Sequence, residues 1–360
     1  MTELDLRETL EVHLGDVDVP PGDPRVAIAR GRRRRTRRRV LTGGAAVLAL
    51  AGVVAVGGIW LTGADDGPTT AHYASVGPLD FSHGARAYAD PGRELHLAGR
   101  TFPAKDLDYL DTDAVATAYG MVFFDRGRPM LLGTDGKVRA LMDGPVDDPK
   151  GFHPTAKADS VNPWVAYAVR RGMTTTVVVQ DLATNEVVAT TDIDCAGCTD
   201  FVIEALDDGV VYTRIYQLTR SWDVRTGEGE TVYDGGGRVV DVRGGVMLYT
   251  GKPPADLGLV RVKAPIDAQL TFDGRYVLDW SSRLRSTDGG PDLVLGEGPT
   301  KQYALGFWAI DSDGSVLVAR PDGTYPHFLV YDCAVPSGAC EELGPLKTTS
   351  GDPEFIGVDM

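Results

Sequence analysis

The chain has 360 residues, with 36 Lys and Arg against 51 Asp and Glu and a formal net charge of −15. The charge is split, because residues 1–39 hold ten Arg against seven acidic side chains and the remainder holds 26 basic against 44 acidic. An acidic body repels a phosphate backbone, which excludes nucleic acid as its partner, and its length fits one large all-β domain.

Residues 2–16 have helical character, with Leu6, Leu10 and Leu14 on one face and Gly15 at the end. So short a helix is marginal alone; its functional reading is the docking of a cytoplasmic partner. Val19-Pro-Pro-Gly-Asp-Pro24 then breaks the helix. A basic block from Arg30 to Arg39 leads into Val40 to Leu61, 22 uncharged residues with Trp60 near the far end. At helical rise that run is about 33 Å long, the thickness of a hydrocarbon core. Positive flanks stay on the cytoplasmic side. The expected organisation is a cytoplasmic tail over 1–39, one transmembrane helix over 40–61, a linker over 62–75 and an extracytoplasmic body over 76–360.

Thr36-Arg-Arg-Arg-Val-Leu-Thr42 resembles a twin-arginine export signal, and Thr62-Gly-Ala64 is a weak small-residue cleavage site. The long n-region and the length of the apolar run favour an uncleaved signal anchor.

Beyond the linker the helical pattern disappears. Short runs of Val, Tyr, Ile, Leu and Phe alternate with Asp-Gly, Thr-Gly and Gly-Gly turns that tolerate positive φ, the signature of β-hairpins. One apolar strand recurs at 120–124, 164–169, 209–213, 245–249, 276–280 and 315–319. Turn-bearing segments follow most of them, as in Leu132–Val138, Asp181–Val187 and Trp222–Glu228. Units of roughly 40 residues with about four short strands are what a propeller blade requires.

The units resemble blades of WD40-like or quinoprotein-like β-propellers, Trp222-Asp-Val-Arg-Thr-Gly-Glu228 being similar to a C–D hairpin of such a blade. The whole arrangement resembles the membrane-anchored propeller proteins of high-GC Gram-positive bacteria. No complete Gly-His…Trp-Asp repeat is present, and the Trp-docking repeats of quinoprotein enzymes are missing, so no cofactor is expected. Six units predict a six-bladed propeller, or seven blades if 90–104 and 353–358 supply another. The N-terminal strand and the tail would then share a blade, because closure removes free sheet edges.

Four cysteines in an exported body read as disulfides. Cys333 and Cys340 flank a Pro-Ser-Gly turn at facing hairpin positions, which leaves Cys195 with Cys198. A four-thiolate zinc site would need the two distant pairs to converge, so no metal site is expected. The six histidines, His13, His72, His83, His96, His153 and His327, show no metal-ligand spacing, and no Gly-x-Ser-x-Gly elbow occurs. Acidic pairs such as Asp207/Asp208 and Asp311/Asp313 read as hairpin turns rather than calcium loops. Trp164, Trp222, Trp280 and Trp308 recur as inter-blade core, and Tyr216, Phe307 and His327 are candidates for the central channel. No catalytic residue emerges.

The resulting expectation is a membrane-anchored propeller that binds a protein, peptide or glycan without catalysis. Its rivals are a transmembrane sensor with a docking tail and a cell-wall sugar hydrolase or lyase using channel carboxylates. The latter needs two carboxyl groups about 5–10 Å apart.

Overall fold

A computed structural model of the chain describes residues 77–90, 94–103, 114–125, 127–143, 146, 155–193, 200–279, 283–296, 307–322, 327–348 and 354–356. Residues 2–16, the Val40–Leu61 run and the Cys195/Cys198 pair lie outside them, and among the described residues no helix is long and apolar enough to cross a membrane. Residues Thr70–Met360 fall in one compact unit.

All regular structure among the described residues is β, arranged as the seven sheets of a seven-bladed propeller. Blade 2 runs from Val115–Thr117 out to Val138–Ala140, and blade 3 from Ala156–Ala158 to Glu186–Ile193. Blade 4 runs from Phe201–Asp207 to Gly229–Asp234, and blade 5 from Gly237–Arg243 to Val260–Lys263. Blade 6 runs from Gln269–Leu270 to Leu293–Val294, and blade 7 from Phe307–Ile310 to Cys340–Lys347. The recurring apolar runs are the second strands, buried on both faces as at Gly120–Asp125, so they read as continuous rather than alternating.

Of the two counts the sequence allowed, the seven-bladed one holds, with the extra blade supplied by the segments around 90–104 and 353–358. Blade 1 joins both ends of the body: Tyr88–Asp90, Glu94–Leu97 and Arg100–Pro103 are completed by Glu354–Phe355. Tyr88 pairs with Phe355 and Ala89 with Glu354, so the ring closes through main-chain pairing of its first and last strands. Strands of two to four residues carry little apolar pattern, which is why the six longer second strands stood out as the repeat and this blade entered only as the alternative. Tyr88 and Phe355 also pack with Phe328, Val330 and Leu346 of blade 7, sealing the same joint with apolar contact.

Successive blades are also clasped by carboxylates. Asp159, just beyond the inner strand of blade 3, accepts the backbone N–H groups of Asp208 (3.2 Å) and Gly209 (2.8 Å) in blade 4. Asp207 accepts the N–H of Gly244 in blade 5 at 3.2 Å, and Asp241 accepts that of Leu270 in blade 6 at 2.8 Å. Asp311 of blade 7 accepts the N–H groups of Ala85 (3.0 Å) and Arg86 (2.8 Å), which bridges the two ends of the ring. All four carboxylates are buried. Reading Asp207 and Asp311 as hairpin-turn residues placed them correctly in the chain but missed this role across the blade junctions.

Cys333 and Cys340 face each other across the last hairpin and form a disulfide. Closing so short a loop stabilises the fold by about 2–3 kcal/mol on chain-entropy grounds. The double substitution Cys333→Ser/Cys340→Ser should therefore lower the unfolding free energy by that amount, measured by urea titration of the full chain in mild detergent. A loss under about 0.5 kcal/mol would show that the hairpin is held without the bridge.

Candidate functional site: the charged central channel

The inner strands of the blades run in the same direction. Thr155, at the start of blade 3, accepts from the N–H of Ile203 near the start of blade 4, while Asp159 meets Asp208 and Gly209 at the other end. Side chains from blades 2 to 6 therefore converge around the axis. They enclose a cavity of about 40 Å³ whose charged lining is Lys157, Glu204, Arg238, Asp241, Arg243 and Asp267.

Glu204 is the centre of this lining. It stands in an apolar strand, Phe201-Val-Ile-Glu-Ala-Leu-Asp207, where a charge is out of place. The register against blade 4's second strand jumps from Ile203↔Thr213 to Ala205↔Tyr212, so Glu204 is the extra residue of a β-bulge. Bulges re-aim side chains, and this one delivers a carboxylate to the channel. Its side chain is only 1% exposed. Arg214 Nε donates to its Oε1 at 2.5 Å, while Arg238 donates from Nε at 2.9 Å and from Nη2 to Oε2 at 3.1 Å. Burial opposes the charge on Arg214, but Glu204 and Asp200 outweigh it and raise the guanidinium's pKa above its ordinary value.

Arg214 also donates from Nη1 to Asp200 Oδ1 and to the carbonyl of Tyr216, both at 3.1 Å. Tyr216 occupies a hairpin tip with φ of +55° and is 59% exposed. Asp241 is committed in the same way as Glu204. It accepts the N–H groups of Val242 and Leu270, both at 2.8 Å, and pairs with Arg243 Nε at 3.2 Å. The Arg243 guanidinium also lies 4.8 Å above the Phe272 ring. Both principal channel carboxylates therefore hold fixed cations, and Asp241 holds two backbone donors as well, an arrangement that sets a charge pattern and a rigid spacing.

Of the channel candidates read from the sequence, Tyr216 lies at the exposed hairpin tip and His327 opens the third strand of blade 7, so neither lines the cavity. Phe307 belongs to the inner strand of blade 7. Trp308 is buried between blades 6 and 7, and Trp164 and Trp222 pack against a separate apolar cluster between blades 3 and 4, in keeping with the core reading, while Trp280 lies outside the described residues. Trp164 has a polar handle as well. Its indole donates to Asp181 at 3.2 Å and Arg225 covers its ring at 5.0 Å. His96 stacks on Tyr88 with centroids 4.5 Å apart. Among the described residues no group of three or more His, Cys, Asp or Glu side chains could hold a metal ion. The signal that could have located the site is the lone Glu204 within an apolar strand.

No protein-family model matches the chain, and no curated protein matches it at a significant level. Solved structures with a similar fold include TolB of Acinetobacter baumannii, at 12% identity and a TM-score of 0.37 over 63% of this chain and 61% of that one. A TolB-type structure from Agrobacterium tumefaciens scores 0.35 at 12% identity, over 75% and 95% of the two chains. The WD40 repeats of RRP9 score 0.34 at 11% identity, over 64% and 78%. The chain thus spans about three fifths of the length of the first TolB. At these scores the assignment of the fold rests on the chain's own strand pairing.

Proposed function

We propose that the chain is a binding propeller displayed on the outer side of a cell membrane. Val40–Leu61 spans the bilayer with Arg30–Arg39 inside, and a loop face of the ring holds a protein, peptide or glycan. The observation that carries this reading is the commitment of the channel charges. Glu204 is held by two arginines and Asp241 by Arg243 and two backbone donors, around a cavity of about 40 Å³. Small-molecule pockets run to about 300–1,000 Å³. Recognition then falls to the faces, where a rigid ring can carry loops of many chemistries. The Cys333–Cys340 disulfide supports an oxidising compartment for the body.

The test is protease treatment of intact cells expressing the full chain with a C-terminal tag. The expected result is a membrane-bound protein that loses its tag to external protease while the 1–39 tail survives. Protection of the tag until lysis would overturn the proposed topology. Recovery of the tagged body in the soluble fraction, with a mass starting near Ala64, would overturn the anchor.

A further inference from the structure

Blade 5 has one strand fewer than the other six sheets, and every residue from 237 to 263 is described. The reason is the path of the chain. Its third strand, Val260–Lys263, runs parallel to the second, Val246–Gly251, pairing Val246 with Val260 and Tyr249 with Lys263. In an ordinary antiparallel blade the third strand carries the chain back across the sheet and the fourth returns it. Here the non-strand connection 252–259 makes the backward journey. The Ala255 N–H donates to the Val232 carbonyl of blade 4 at 3.1 Å, the Tyr233 hydroxyl to the Lys252 carbonyl at 2.8 Å, and Arg261 Nη1 to the Pro254 carbonyl at 3.0 Å. Strand Val260–Lys263 thus ends where the inner strand of blade 6 must begin, and no fourth strand is needed.

This leaves a main-chain edge. The N–H groups of Val260 and Ala264 donate inward to the carbonyls of Gly245 and Tyr249, both at 3.0 Å. By the alternation of a strand, the N–H and C=O groups of Arg261 and Lys263 point out of the sheet. Among the described residues no strand pairs with that side. The side chains of Arg261 and Lys263 are exposed, whereas Val260 and Val262 pack against the core of the blade.

The charge of the edge sets it apart. The outer part of the blade, residues 252–263, carries three basic side chains against one acidic, in a body that carries 26 against 44 outside the tail. The outer strands of blades 3, 4 and 7 carry acids: Glu186 and Asp192, Glu230 and Asp234, Glu341 and Glu342. That of blade 6 is uncharged, and those of blades 1 and 2 carry a single arginine each, Arg100 and Arg139, so the edge of blade 5 differs in carrying two cations and no acid. Lys and Arg on an edge guard against pairing with a like edge, so a second copy of this strand is repelled. The same two charges attract a strand of opposite sign, since cross-strand opposite charges stabilise a pair.

We propose that the outer edge of blade 5 is a docking site for an extended acidic peptide segment of a partner protein, which adds as the fourth strand of the blade. Main-chain hydrogen bonds to Arg261 and Lys263 supply the affinity, and alternate acidic side chains beside the two cations supply the selectivity. The site is on the rim and does not depend on the channel or on either loop face.

Binding of a blocked, fluorescent Val-Glu alternating octapeptide to the full chain in detergent, compared with a Val-Lys octapeptide, tests this. Val-Glu should bind saturably and at least about ten-fold tighter than Val-Lys, and Arg261→Glu/Lys263→Glu should reverse the preference. Hydrogen exchange on the full chain should slow at the amides of residues 261 and 263 when Val-Glu is added. Equal binding of the two peptides would overturn the proposal, as would protection confined to another blade, or concentration-dependent self-association that protects the edge without peptide. Lys263→Pro, which removes only an outward N–H, should weaken Val-Glu binding while leaving thermal unfolding within a few degrees of the parent. Undiminished binding by that variant would also overturn the proposal.

Discussion

Glu204→Ala should destabilise the propeller by about 3–5 kcal/mol, because removing one partner of a buried ion pair leaves charge uncompensated. The magnitude follows from what surrounds the carboxylate. Arg214 and Arg238 both converge on it, at 2.5 and 2.9 Å from Oε1, and their side chains are 14% and 30% exposed. Arg214 retains Asp200 and the Tyr216 carbonyl after the substitution, whereas Arg238 loses both of its hydrogen bonds to Glu204. Urea unfolding of the full chain in detergent measures the loss. Glu204→Gln should cost less, since it keeps the volume and one acceptor. The triple substitution Glu204→Leu/Arg214→Met/Arg238→Met should recover most of the stability, because an apolar replacement of a whole buried ion network is close to neutral. A loss below about 1 kcal/mol for Glu204→Ala would place the network in the class of solvent-screened surface pairs. Because Arg214 also holds the Tyr216 carbonyl, the substitution should in addition speed amide exchange across the 215–218 hairpin.

What the sequence disclosed about this fold came from its turns and its second strands. Trp222–Glu228 is the outer hairpin of blade 4, and Leu132–Val138 and Asp181–Val187 are the corresponding turns of blades 2 and 3. Their polar-Gly chemistry is local, so it is visible in a window of seven residues. The inner strands are different. Gln269–Leu270 and Glu354–Phe355 are two residues long, and their place is set by neighbours far along the chain. The facing cysteines were legible because their partners are seven residues apart.

Glu204 stands out as a charge inside an apolar strand, but its role was not legible, because its partners lie 10 and 34 residues away and its orientation depends on a bulge that no composition rule announces. The parallel third strand of blade 5 was hidden for a similar reason. Val260-Arg-Val-Lys263 reads as a half-buried strand in either direction, and only the anchoring of the 252–259 connection on blade 4 fixes which.

The stability of ring closure should depend on pH through Asp311. Its Oδ1 accepts from Ala85 (3.0 Å) and Ser312 (2.6 Å) and its Oδ2 from Arg86 (2.8 Å), and the residue is 2% exposed. Burial pushes its pKa up to about 6, opposed by the N–H donors and reinforced by Asp313. In the unfolded chain the same carboxyl titrates near 4. The folded state therefore holds the proton more tightly, so the contribution of this group is fully present below about pH 4 and is lost as pH rises through about 6. A difference of about two units corresponds to roughly 3 kcal/mol between those limits. Asp311→Asn removes the titration while keeping the volume. The stability of the parent relative to the variant should therefore fall by about 3 kcal/mol from pH 4 to pH 7.5, with other titrating groups cancelling in the comparison. Asp311→Ala, which strips the acceptor from three backbone N–H groups, should be most destabilising at the acid end of that range. A parent-minus-variant difference that stays flat, or that rises with pH, would show that the three N–H donors outweigh burial and keep the carboxylate ionised. In either case the amides nearest the closing pair Tyr88–Phe355 should report the change first, since Asp311 grips the backbone at Ala85 and Arg86 only two to three residues before that strand pairing begins.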